Sequence, residues 1–127
     1  MTVKPPTAPL PAGSDNGTER PFRVLFVCSR NRLRSPTAEA VFAGREGLEV
    51  LSAGTNRDAD VPLTAELVAW ADLICAMEPV HRAKLTARFG ASLSGTRVTV
   101  LGIPDRFRFM EPALVALLER KAGSLLR

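Results

Sequence analysis

The stretch VLFVCSRNRLRSPTAEA, residues 24–40, decides the fold of this chain. It joins an unbroken apolar run to a polar loop, and the loop to a segment of good helix formers. FRVLFVC, residues 22–28, has the length and character of a strand buried on both faces. Ser35-Pro36 then predicts a helix start, with Ser35 as N-cap and Pro36 at the first helical position. TAEAVFAGRE carries that helix to Gly44 or beyond. Between the two elements Cys28 and Arg34 stand with five residues between them, two of which are further arginines.

Working outward, the same alternation repeats. GLEVLSAG (47–54), DLICAM (72–77) and TRVTVLGI (96–103) read as strands. LTAELVAWA (63–71) reads as a helix with Leu63, Leu67, Val68 and Ala71 on one stripe, and Trp70 as a core residue. PVHRAKLTARFG (79–90) opens with proline and stops at glycine, and PALVALLERKAGSLL turns Leu114, Leu117 and Leu118 inward. Helices alternating with continuous apolar strands predict a parallel sheet covered on both faces. Such sheets bind ligands beyond the carboxyl ends of their strands, near a switch point, which puts a site at the loop beginning with Cys28.

Composition sets limits on the rest. The chain has 127 residues, 46% of them hydrophobic, and a mean hydropathy of +0.06, enough for one domain with a real core. Residues 1–20 carry four of the ten prolines and almost no aliphatic side chains, so they read as a disordered tail before a domain at 21–127. The tail's charges cancel, leaving the net +4 to the folded part, where it suits anionic partners such as phosphates or nucleic acid. Two cysteines, Cys28 and Cys75, lie in separate apolar runs and make no disulfide framework, which suits a reducing, cytoplasmic setting. Neither a secretory leader nor a membrane-spanning run is expected, and one histidine, His81, makes a poor metal site.

The loop's chemistry follows from its place. Helix N-termini attract anions, and consecutive loop amides make a concave nest for a phosphate. The same field, with Arg34 beside it, favours the thiolate form of Cys28 over the thiol. A thiolate against a bound phosphate can attack phosphorus and form a cysteinyl-phosphate. Arg34 can grip two oxygens in a fork and stabilise the charge that develops on them. Ser35 can donate a hydrogen bond to the departing thiolate when that intermediate breaks down. Cys75, inside LICAM, reads as packing.

Cys-x5-Arg-Ser between a buried strand and a helix resembles the low-molecular-weight protein tyrosine phosphatase family. The similarity continues through LSAGT (51–55) and ADLICAMEPVHRAKL (71–85), and so covers residues 22 to about 120. The resemblance implies a flavodoxin-like three-layer α/β/α fold with a four-stranded parallel sheet in the order 2-1-3-4. It makes Cys28 the nucleophile, Arg34 the phosphate clamp and Asn31 the residue that shapes the loop. Ser29, Arg30, Arg32 and Leu33 complete the phosphate loop. The family's general acid falls on Asp105 in GIPDRFRFMEP, with Glu111 as fallback and helix-start residue; His81 reads as a helix-face residue, the loop-orienting role being the alternative. No cofactor or metal is implied, and the protein is expected to be a monomer.

Four departures from the family's pattern stand out, and the short segment and the arginine pair bear on the substrate. Leu33 replaces a second cysteine that can protect the oxidised nucleophile. The segment after LSAGT is short, so an insertion that walls the substrate cleft is trimmed. Arg30 and Arg32 take places that are usually small or aliphatic, and Arg106 replaces the proline after Asp105. Phosphotyrosine needs aromatic walls; the chain has no tyrosine, and Phe107 is the single aromatic expected near the site. The expectation is a cysteine-dependent phosphate monoester hydrolase acting on a phosphoprotein or a polyanionic phosphate ester, nucleic-acid ends included. Arg30 and Arg32 otherwise face solvent or pair with Asp58 and Asp60. Competing readings are a non-catalytic anion-binding regulatory module and an arsenate reductase-like enzyme.

Overall fold

A computed structural model describes residues 20–126. Of residues 1–20, expected to be a disordered tail, 1–19 lie outside them, and Arg20 is described. Strand β1 (Phe22–Cys28) is the centre of the sheet, with β2 (Leu48–Gly54) on one side and β3 (Leu73–Ala76) on the other. β4 (Arg97–Val100) pairs with β3, every pairing is parallel, and the order is β2-β1-β3-β4 as expected. The register runs from Phe22 opposite Leu48 to Cys28 opposite Gly54, so β1 and β2 end side by side.

A central parallel strand must be apolar on both faces, and β1 is. Val24, Phe26 and Cys28 join Leu73, Cys75 and Met77 in one core layer under α1 (Arg34–Phe42) and α4 (Pro112–Ala122). Phe26 and Phe42 stack there with ring centroids 5.7 Å apart, and Leu114 and Leu118 close the layer. Leu25, Val27 and Ile74 face the opposite layer, formed by α2 (Ala65–Trp70) and α3 (Pro79–Phe89). Each large side chain removed from water in these layers contributes about 1.5–3 kcal/mol. Trp70 and the stripe of Leu63, Leu67, Val68 and Ala71 are buried as expected, whereas Leu117 is only partly buried.

The element ends differ from the reading of the sequence in instructive ways. α1 begins at Arg34, one residue before the expected cap, and stops at Phe42 because Ala43 is extended and Gly44 turns to φ +86°. α2 is short, with Thr64 Oγ1 accepting from the Leu67 amide 3.1 Å away. β4 ends at Val100, yet Leu101 and Ile103 still donate to the carbonyls of Ala76 and Met77 at 2.8 Å each. That continuation aims the following loop back over the end of β1. At the other end of the sheet, the Arg20 guanidinium forks onto Asp72 at 2.8 and 2.9 Å, and this hydrogen-bonded partner holds the carboxyl below its ordinary range.

Candidate active site

The loop from Cys28 to Ser35 leaves the central strand and is held in shape by its neighbours. The amides of Thr55, Asn56 and Asp60 donate to the carbonyls of Cys28, Ser29 and Arg30 at 2.9, 2.9 and 3.1 Å. With those carbonyls engaged on the β2 side, the amides of Ser29, Arg30, Arg32 and Leu33 have no acceptor among the described residues. This is the donor arrangement of an anion nest. Gly54 permits the close approach: a Cβ there would sit 2.5 Å from the Ser29 carbonyl oxygen and 2.7 Å from Ala59 Cβ. Alanine at 54 therefore forces the loop out of place.

Asn31 makes the tight turn, at φ +58°, and is buried. Its side-chain amide donates to Ser35 Oγ and to Ser52 Oγ, both at 2.9 Å, and its backbone N–H donates to Cys28 Sγ at 3.2 Å. The Ser52 hydroxyl in turn donates to Glu39. Ser35 Oγ accepts from Asn31 and lies 3.0 Å from Cys28 Sγ and 3.4 Å from the Ala53 carbonyl, so its hydrogen turns to the sulfur once Cys28 is a thiolate, which can only accept. A relay thus runs from Glu39 through Ser52, Asn31 and Ser35 to the sulfur. It also overturns the expected N-cap: Ser35 lies inside α1, Leu33 occupies the cap position, and the Ser35 hydroxyl faces the cysteine instead of the helix amides.

Arg34 is 3% exposed, in the first turn of α1. Nη1 donates to Glu78 Oε1 at 2.8 Å and to the Ile103 carbonyl at 2.7 Å, while Nε lies 3.7 Å from Asp105 Oδ1. The guanidinium is thereby pinned at one nitrogen and lines a cavity of about 330 Å³ together with Cys28, Ser29, Arg30, Arg32, Leu33 and Asp105. The structure brings the loop residues and Asp105 together. Glu111 lies apart, accepting from the Arg108 amide at the start of α4. Phe107, expected as an aromatic wall, packs on the core under Arg106 and is not among the lining residues. Arg32 Nε pairs with Asp60 at 3.1 Å, whereas Arg30 has no ion pair among the described residues.

His81 has a part that the helix-face reading withheld. It is fully buried; Nδ1 accepts from the Glu78 amide at 3.0 Å, which fixes the neutral ring's proton on Nε2, 2.9 Å from Ser29 Oγ. Burial, and then the Arg34 charge, push its pKa down to about 4. The unfolded chain, at the ordinary 6.5, therefore takes up a proton before the folded one does. Stability is expected to be full above pH 6.5 and to fall as pH drops from there to about 4, by roughly 3 kcal/mol at 1.36 kcal/mol per unit. Urea unfolding at pH 7.5 and 5 measures this. A His81→Asn variant should show a flatter profile, and an equal slope would refute the assignment.

Cys75 is fully buried in β3 and burial pushes its thiol up to about 12, consistent with packing alone. Among the described residues no three His, Cys, Asp or Glu side chains are placed to hold a metal ion, and no helix is long and apolar enough to cross a membrane. Glu39, Ser52, Gly54 and Glu78 were not singled out from the sequence. Ser52 and Gly54 lie in LSAGT and Glu78 in LICAMEP, directly at strand ends, where the site of a parallel sheet falls.

In this fold a cysteine and an arginine, with five residues between them, close one amide-lined loop at the end of the central strand. No family model matches the sequence. A protein-arginine-phosphatase of Bacillus subtilis (strain 168) is 35% identical over 94 residues, a match covering 53% of this chain and spanning 63% of the relative's length. The solved structure of the YwlE arginine phosphatase from Geobacillus stearothermophilus superposes with a TM-score of 0.65 at 26% identity, covering 83% of this chain and 93% of that one. A low molecular weight protein tyrosine phosphatase from Streptococcus pyogenes shares the fold, with a TM-score of 0.67 at 16% identity over 84% of this chain and 94% of that one. The chain thus has the fold of the low-molecular-weight protein tyrosine phosphatases and is similar in sequence to an arginine phosphatase.

Proposed function

We propose that the protein is a cysteine-dependent phosphatase that works through a cysteinyl-phosphate on Cys28. One observation carries this reading: Cys28 Sγ accepts from the Asn31 amide and hydrogen-bonds with Ser35 Oγ in a cavity that Arg34 and Asp105 also line. The Cys28 thiolate attacks phosphorus in line, so that an S–P bond forms as the bond to the leaving group breaks. Asp105 gives its proton to the leaving atom. Water then attacks phosphorus and passes a proton to Asp105; the S–P bond breaks, inorganic phosphate leaves, and Ser35 steadies the thiolate. Arg34 and the loop amides hold the equatorial oxygens throughout, so no step calls for a metal.

Hydrolysis of p-nitrophenyl phosphate tests this. Activity is expected to survive EDTA and to be inhibited by vanadate, and loss of activity on chelation would overturn the scheme. The absence of an aromatic from the cavity lining supports a substrate other than phosphotyrosine, and the arginine phosphatases among the relatives point the same way. A strong preference for a phosphotyrosine peptide over a phosphoarginine peptide and a 5′-phosphorylated oligonucleotide would defeat that part of the reading. An arsenate reductase needs an accessible relay thiol, and buried Cys75 does not supply one. A free, unpaired thiol at Cys28 suits a reducing compartment such as the cytoplasm.

A further inference from the structure

The mouth of the cavity has two unlike sides. On the β2 side stand Arg30 and Arg32, tied by backbone and side chain to the segment 55–60: the Asp60 amide donates to the Arg30 carbonyl, and the Asp60 carboxylate takes the Arg32 guanidinium. That pair neutralises Arg32 and leaves Arg30 as the exposed cation on the cavity wall. At the start of α1 the lining includes Leu33, which is apolar and 38% exposed. Thr37 Oγ1 joins this edge to the loop before α4, donating to the Leu33 carbonyl at 2.7 Å and accepting from the Met110 amide at 2.9 Å. Met110 is 41% exposed at φ +60°, and Phe109 beside it is 52% exposed.

Building on the phosphatase reading, we infer that this mouth reads the residues on either side of a phosphorylated residue in a polypeptide. Arg30 receives an acidic neighbour, and Leu33 with Met110 receives an apolar one. Charge complementarity fixes the first contact. The apolar side decides against an oligonucleotide, whose backbone would present phosphates to both edges and leave Leu33 and Met110 uncovered. Arg30 and the Leu33–Met110 edge are thus the specificity-determining groups of this mouth.

The experiment compares kcat/KM on four phosphopeptides that differ only in carrying an acidic or neutral residue on one side and an apolar residue or serine on the other, beside a 5′-phosphorylated oligonucleotide. The best peptide is expected to exceed its neutral counterpart about tenfold, or 1.4 kcal/mol. In Arg30→Ala that ratio should collapse towards one; in Met110→Ser the apolar preference should vanish while the acidic one persists. Equal ratios in the wild type, ratios unchanged in both variants, or a kcat/KM on the oligonucleotide at or above that of the best peptide would overturn the inference. Because each reading is a ratio within one variant, a general loss of rate does not mimic it. Should p-nitrophenyl phosphate not be turned over at all, the phosphatase reading fails by itself. Binding of the same fluorescent peptides by the Cys28→Ser protein then tests the mouth, and equal affinities would overturn it.

Discussion

Cys28→Ser is expected to abolish phosphatase turnover, by at least about 10⁴-fold in kcat, while phosphate still binds. The substitution keeps the size of the side chain and the partners around it, since Ser35, Asn31 and the three carbonyl anchors of the loop are untouched. What it removes is a nucleophile that ionises readily and a leaving group good enough to let the intermediate break down. Steady-state kinetics on p-nitrophenyl phosphate and calorimetric titration with inorganic phosphate measure the two halves. A variant as active as the wild type would end the covalent scheme. Two proteins that bind phosphate equally and hydrolyse nothing would favour the non-catalytic module.

Arg34→Lys is expected to cost about 10²- to 10³-fold in kcat/KM, the range found when one preorganised donor to a developing anion is lost. Lysine keeps the charge but not the fork, and a planar guanidinium bound at Nη1 by Glu78 and the Ile103 carbonyl presents its other nitrogens in a fixed plane. An ammonium drawn to Glu78 would sit as a point charge with no second donor aimed at the substrate. The unfolding midpoint separates this from a simple loss of fold, because Glu78 is only half-buried and keeps some solvent when its partner changes. A fall in kcat/KM of less than about tenfold would show that the loop amides suffice without the clamp.

The sheet order, the central place of β1 and the position of Cys28 at its end were legible because they depend on local pattern: an apolar run, a loop bearing a cysteine, and a helix with a proline in its first turn. Arg34 was legible for the same reason, being fixed in register with Cys28 by the shared loop. The supporting residues were not. Glu78 and His81 lie at the other side of β3 in sequence, and only the parallel pairing of β1 with β3 carries them to the loop. The N-cap reading of Ser35 failed because a propensity rule was applied where tertiary demand prevailed: the hydroxyl serves the cysteine. Phe107 looked like a wall because an aromatic beside the acid suggests one, yet its ring settles on the core.

The anchoring of the phosphate loop to residues 55–60 has a consequence for how such a molecule can change. Three main-chain donors do the holding, together with the bare backbone at Gly54, so the side chains of Asn56, Arg57 and Asp58 take no part in it. Those positions can be exchanged without deforming the nest. The segment therefore behaves as a replaceable faceplate on a fixed socket, free to change its outer side chains while the loop it holds keeps its shape.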